Sequence, residues 1–374
     1  MTAARVPFAN VDSENRDLVE EFLPRLDAQL RSGGFIGGDE VAAFERTIAR
    51  LHGVEHAIAV NSGTDALRLS LRALDVRAGT TGITVSNTFT ATVGAMVARG
   101  LRPLLVDVDD DENMALDALR RSITPSTGVV VAVHLRGLPA RIEAIRDICH
   151  ENGVVLLEDC AQAVLASSRG VPVGGFGAAG CFSLHPLKNL GGCGDGGVVT
   201  TDSTELAREL TLLRNHGLQD RDTVALWGEN SRLDAVQAVL LNVKLLYIEE
   251  WTKRRQDMAR LYDERLAALP LVTAPTRDDA EHVYHRYVIR TDRRDELRRH
   301  LADAGVETAI HYPTPIHRQP AAADGGVTIA PGGLPRTEHQ SRQILSLPLH
   351  PSLTEAQLGY VADEVERFYA SPAA

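Results

Sequence analysis

Residues 154–162, Val154-Val155-Leu156-Leu157-Glu158-Asp159-Cys160-Ala161-Gln162, decide the fold. The apolar run over 153–157 is nearly unbroken and ends on two acids. A strand that is apolar throughout is buried on both faces, as in a parallel sheet covered by helices on each side. Upstream, residues 141–152 carry helical spacing and 129–135 read as another buried strand. Residues 82–86 and 104–107 read as weaker strands, and 56–60 as a strong one. A helix follows it, with Leu67, Leu71 and Leu74 on one stripe. Asp39 is the expected N-cap of an earlier helix carrying Val41, Phe44, Ile48 and Leu51, with Gly53 as its stop. This alternation predicts an α/β fold with a mostly parallel central sheet.

Downstream the pattern changes. Residues 206–213 read as helix, 222–231 as loop, and 233–269 as one long helix with no proline before Pro270. A strand over 282–290 and an amphipathic helix over 293–304 follow. The Gly-, Ala- and Pro-rich stretch 321–333 reads as a surface loop. The expected division is a large domain over 1–245 and a smaller α/β domain over 246–374, joined by the long helix.

The chain has 374 residues and a net charge of −11, with no long basic run. Duplex nucleic acid and anionic membrane are therefore poor partners. A small anion is not excluded, because helix ends and backbone nests bind one locally. Cys149, Cys160, Cys181 and Cys193 form no CxxC pair, which argues against a disulfide framework or a zinc site. They read as small packing residues in a reducing cytoplasm. Residues 1–10 lack the basic-then-apolar pattern of a signal peptide, and no apolar run is long enough to span a bilayer.

Four features carry chemistry. Ser62-Gly63-Thr64 sits between a strand and a helix, where unpaired amides and the helix dipole favour a phosphate; the competing reading is a simple helix cap. Glu158 and Asp159 stand at the carboxyl end of a strand, where ligands of open α/β sheets bind. One of them can hold a cationic ring nitrogen, or cap the next helix. Phe89 is either core or a face for a cofactor ring. Lys188 lies in Cys181-Phe-Ser-Leu-His-Pro-Leu-Lys188-Asn-Leu-Gly-Gly-Cys-Gly-Asp-Gly-Gly197, with Ser183 five residues before it as a second phosphate hydroxyl. Any single lysine there is ordinarily a solvated loop residue. Together the four fit pyridoxal 5′-phosphate, with Lys188 as the Schiff-base lysine.

With those residues in place, the sequence resembles the DegT/StrS family of sugar aminotransferases, which have the type I fold of pyridoxal-phosphate enzymes. The resemblance spans nearly the whole chain, including Gly34-Phe-Ile-Gly-Gly38, Asn61 to Leu67, Glu158 to Ala163, Phe182 to Asn189, Arg214-Asn-His-Gly217, Asn230-Ser-Arg232, His311-Tyr-Pro313 and Leu345-Ser-Leu-Pro348. It implies that Lys188 is the covalent anchor and Asp159 the partner of the pyridine nitrogen. It implies that Gln162 contacts the ring hydroxyl, Phe89 stacks on the ring, and Ser62, Gly63, Thr64 and Ser183 hold the phosphate. Asn230 resembles a residue that reaches the phosphate of a neighbouring subunit, which implies a homodimer with shared sites. For the substrate the resemblance points to His185, Arg232, His311, Tyr312 and His317, with Arg232 on a carboxylate of the amino donor or in a structural role.

The implied reaction moves an amino group from glutamate, or glutamine, to a keto sugar. The acceptor is expected to be a nucleotide-linked 3- or 4-keto-6-deoxysugar of antibiotic or surface-glycan biosynthesis. An aminocyclitol aminotransferase is the alternative. A sugar dehydratase is disfavoured, since that branch has histidine in place of the lysine. A non-catalytic regulator is disfavoured because Lys188 and Asp159 are both present.

Overall fold

Leu156 and Leu157 are neighbours in sequence yet are buried in different cores, because successive side chains of a strand point to opposite faces. Leu157 packs with Ile58, Leu67 and Leu71, whereas Leu156 packs with Ile142, Ile145 and Ile148. The computed structural model describes residues 5–16, 18–323 and 326–370. Among these, the central sheet has eight strands in the order His56–Val60, Gly197–Thr201, Ala179–Ser183, Val155–Asp159, Thr127–Val133, Thr81–Val85, Arg102–Val106, Thr328–Ile329. Gly197–Thr201 is antiparallel to both its neighbours, and the other adjacent pairs are parallel. The carboxyl ends of the parallel strands therefore lie along one edge. The segments leaving that edge carry Ser62, Phe89, Asp159 and Lys188.

The helix expected after Asp39 runs Asp39–His52, but Gly38 is its cap; Gly53 ends it in the left-handed conformation at φ 64°. The single helix expected over 233–269 is two, Ala235–Lys244 and Ile248–Leu266. Between them Leu246 N donates to Val243 O and Tyr247 N to Lys244 O, tightening the turn without glycine or proline. The stretch 321–333 is not only loop. Thr328–Ile329 adds to the sheet beside Arg102–Val106, and Ala330 N donates to Leu105 O.

The expected strand over 282–290 is regular only over Tyr287–Arg290, where it pairs with Ile344–Leu347. Tyr284 has φ 46°, and its N–H donates to His282 Nδ1, so the chain bends before pairing. A C-terminal core gathers Tyr262, Tyr287, Leu297, Leu345 and Val365, and Val6 from the other end of the chain joins it. Cys149, Cys160 and Cys181 are buried free thiols, as their packing role requires. Cys193 is exposed and so does not fill the packing role expected of it. No helix among the described residues is long and apolar enough to cross a membrane.

Candidate active site

Strand alternation separates the two acids that end Val155–Asp159. Glu158 faces away from the sheet-edge cavity and is fully buried. Its carboxylate accepts from Gly174 N at 2.9 Å, from Phe176 N and Gly177 N at 2.8 Å, and from His134 Nε2–H at 3.1 Å. Ala140 N donates to His134 Nδ1 at 3.0 Å, which puts the imidazole proton on Nε2. His134, Glu158 and Cys160 have ligand atoms within 4.8 Å of one another, but hydrogen bonds occupy both imidazole nitrogens and both carboxylate oxygens. The group is thus a structural knot.

Asp159 faces the cavity. Its Oδ1 accepts from Ala161 N at 3.1 Å and its Oδ2 from Thr92 Oγ1 at 2.7 Å; Thr92 Oγ1 in turn lies 2.8 Å from Thr88 Oγ1. These bonds aim a buried carboxylate at one point. Lys188 lines the same cavity of about 400 Å³. Burial, with help from the Arg286 charge and against the pull of Asp159, pushes the Lys188 amine down to about 8. A base that loses its proton near neutral pH suits proton transfer.

The anion seat is the start of the helix Gly63–Ala73. Ser62 is extended, and its Oγ accepts from Asp65 N at 3.1 Å, so this residue is a helix cap as well as a cavity wall. The following amides have no intrahelical acceptor. A Cβ on Gly63 would lie 2.7 Å from Ser183 Cβ and 3.0 Å from its Cα. The absent side chain lets the helix start and Ser183 share one concave surface, which also includes Thr64. Gly63→Ala is expected to introduce overpacking of about 1–3 kcal/mol. Titration of the cofactor-free variant with pyridoxal phosphate, followed by visible absorbance, should show correspondingly weaker uptake.

Phe89 lines the cavity and is 52% exposed, its ring 5.8 Å from that of Tyr312. Gln162 is held at both ends. Its Oε1 accepts from Arg136 N at 2.6 Å and its Nε2 donates to the Tyr312 hydroxyl at 3.2 Å. His311 and His185 complete the wall; His311 Nδ1 lies 2.9 Å from Ser346 Oγ, and Leu187 N donates to His185 Nδ1. Burial, reinforced by Arg286, Arg136 and Lys188, lowers His311 to about 3, so this imidazole is neutral at working pH.

Three residues singled out from the sequence lie outside the cavity lining. His317 is buried between Ser86 Oγ, 2.7 Å from Nδ1, and Glu338 Oε1, 3.0 Å from Nε2. That placement braces the chain below Phe89. Arg232 Nη1 donates to Asn215 Oδ1 at 2.9 Å, and Asn230 is exposed, bridged to the Asn215 backbone.

The structure adds residues the sequence reading passed over. Thr92 orients Asp159 and Thr88 holds Thr92, a pairing that helical spacing does not signal because Thr88 precedes the helix Thr90–Ala98. His285 and Arg286 enter the cavity because the chain bends at Tyr284. Alternation alone gave no hint of that.

A phosphate seat, a buried carboxylate and an amine of lowered basicity on one rim fit pyridoxal phosphate without forcing. Fold and cavity together define a protein built to hold pyridoxal phosphate, and its relatives make it an aminotransferase. The chain belongs to the DegT/DnrJ/EryC1/StrS aminotransferase family, whose sequence profile it matches over residues 16–366. It is 40% identical over 367 residues to the dTDP-3-amino-3,4,6-trideoxy-alpha-D-glucose transaminase of Streptomyces venezuelae, covering 97% of this chain and 96% of that protein. It is 38% identical to the UDP-N-acetyl-3-dehydro-alpha-D-glucosamine 3-aminotransferase of Acidithiobacillus ferrooxidans, covering 97% of each. Among solved structures, S. venezuelae DesV in complex with a ketimine intermediate superposes with a TM-score of 0.95 at 38% identity, covering 99% of this chain and 100% of that one.

Proposed function

We propose that this enzyme transfers the amino group of glutamate, or of glutamine, to a nucleotide-linked 3- or 4-keto-6-deoxysugar. The observation that carries the proposal is the convergence of Lys188, Asp159 and the Gly63 helix start on one cavity. When bound, pyridoxal phosphate supplies an electron sink and a temporary carrier for the amino group. Lys188 Nζ is the group that takes a proton from the donor carbon and later returns one to the acceptor carbon. Asp159, oriented by Thr92 and Ala161, holds a positive charge on the ring nitrogen through a charge-assisted hydrogen bond. Ser62, Gly63, Thr64 and Ser183 hold the phosphate, Gln162 meets the ring hydroxyl, and Phe89 covers the ring. His185, His311 and Tyr312 face the sugar. Arg232 and His317 act from outside as supports.

The working unit in this reading is a homodimer in the cytoplasm. Asn230 is exposed outside its own chain's cavity, where it is available to a second subunit's phosphate site. Trp227, three residues before it, is 84% exposed and Val224 of the same loop is 49% exposed, so this segment presents apolar surface that a subunit contact would cover.

The test separates the two halves of the reaction. Glutamate or glutamine should bleach the visible absorbance of the loaded protein. One member of a panel of dTDP- and UDP-linked 3- and 4-keto sugars should then restore it. If neither amine donor bleaches the band, or no keto sugar restores it, the proposal fails.

A further inference from the structure

Arg286 is the one guanidinium among the described residues lining the cavity. It comes from the C-terminal lobe, where the bend at Tyr284 turns 285 and 286 inward before the strand Tyr287–Arg290 begins. Its position is fixed by packing. The guanidinium carbon lies 5.1 Å from the Phe8 ring centroid, Phe8 stacks on His311 at 5.6 Å, and Nη1 donates to His285 O at 3.2 Å. The preceding residue ties this wall to the lysine, since His285 Nδ1 lies 3.2 Å from Oδ1 of Asn189, the neighbour of Lys188.

The imidazoles beside it do not share its charge. Burial, together with Arg286 and Lys188, pushes His285 well down, and His311 falls to about 3. At neutral pH Arg286 is therefore a permanent positive charge facing the reacting amine. Arginine in such a place matches a planar carboxylate with two parallel hydrogen bonds.

We propose that Arg286 binds the α-carboxylate of the amino donor and so selects an α-amino acid over a simple amine. This rests on the glutamate reading above. Distance within the substrates favours this carboxylate over the sugar's diphosphate. An α-carboxylate is one carbon from the reacting carbon–nitrogen bond. A diphosphate on C1 is separated from a C3 or C4 ketone by the sugar ring. Arg286 stands on the wall tied to Lys188, at the amine end of the cavity.

Glutamate and 4-aminobutanoate differ only by that carboxylate, so their kcat/KM ratio is the readout. In Arg286→Met the ratio should fall about 10- to 100-fold, most of it through the glutamate value. Arg286→Lys, which keeps the charge but not the fork, should fall between wild type and Met and guards against a folding defect in the first variant. Calorimetric binding of glutarate to the loaded protein needs no turnover and should weaken in the same order. A wild-type preference for glutamate that survives intact in both variants overturns the role of Arg286 alone. A wild-type enzyme that handles glutamate no better than 4-aminobutanoate overturns the donor reading beneath it.

Discussion

Lys188→Ala is expected to lower turnover by at least about 10²–10⁴-fold, the range for loss of a positioned general base, with the proposed covalent anchor lost in addition. The fold should survive. Lys188 N donates to His185 O through the backbone, which alanine keeps, and the side chain meets open cavity. An unchanged melting curve beside absent turnover is the expected pair of results; wild-type turnover in the variant would remove the central assignment. The chain has three lysines, and the other two are occupied elsewhere. Lys244 Nζ donates to Gly191 O at 2.7 Å inside the protein, and Lys253 pairs with Asp257 on the surface. Borohydride treatment of the loaded wild-type protein should therefore fix the cofactor to the peptide that contains Lys188 and to neither of the others.

The same lysine sets a pH dependence. Its amine is lowered to about 8, first by burial and then by Arg286. Only the neutral amine is a nucleophile. At pH 7 about a tenth of a group with that pKa is neutral, far more than for an ordinary lysine at about 10.4. Uptake of pyridoxal phosphate by the cofactor-free protein should quicken as pH rises toward 8 and level off above it. Rates still climbing tenfold per unit between pH 9 and 10 would mean that the amine is not perturbed.

Much of the frame was legible because short periodic runs decide it. His56–Val60 and the stop at Gly53 follow from an unbroken apolar run and from a residue that tolerates positive φ. Placing Lys188 near the acid pair Glu158 and Asp159 needed only the rule that ligands gather at the carboxyl edge of parallel strands, and the family resemblance pointed to Asp159. What stayed hidden has specific causes. The turn at 245–247 uses no breaker residue, so helical spacing runs straight through it. Thr328–Ile329 is two residues long inside a Gly- and Pro-rich stretch, too short for any period to register. Glu158 and Asp159 are equivalent by type. Beyond the resemblance, the physical distinction is the strand's facing, with His134 and three amides on one side and Thr92 on the other. The resemblance implies a substrate role for His317, but Ser86 and Glu338 claim both of its nitrogens. Arg286 was invisible for the opposite reason: an arginine in an alternating run reads as the outward side of a strand.

Asp159→Asn should reduce kcat about 10- to 100-fold, because in the proposed site the bond it alters joins a carboxylate to a charged ring nitrogen and such bonds are worth about 1.5–3 kcal/mol. Asparagine keeps the size of the side chain, and its carbonyl oxygen can still accept from Thr92 Oγ1 or Ala161 N, so misfolding is not the expected cause. The charge is what disappears. That charge also holds the proton on Lys188. Removing it should move the midpoint of cofactor uptake below pH 8, since the ammonium form loses its attractive neighbour. A fall in kcat together with this acid-ward shift distinguishes loss of charge from a general disturbance of the site. Thr92→Val tests whether the hydroxyl acts through the carboxylate. Alone it should lower kcat by less than Asp159→Asn does. Added to Asp159→Asn it should cost little more, because residues that share one hydrogen-bond network are not additive. Full additivity of the two would mean that Thr92 contributes independently and that its 2.7 Å bond to Asp159 does not set the carboxylate's aim.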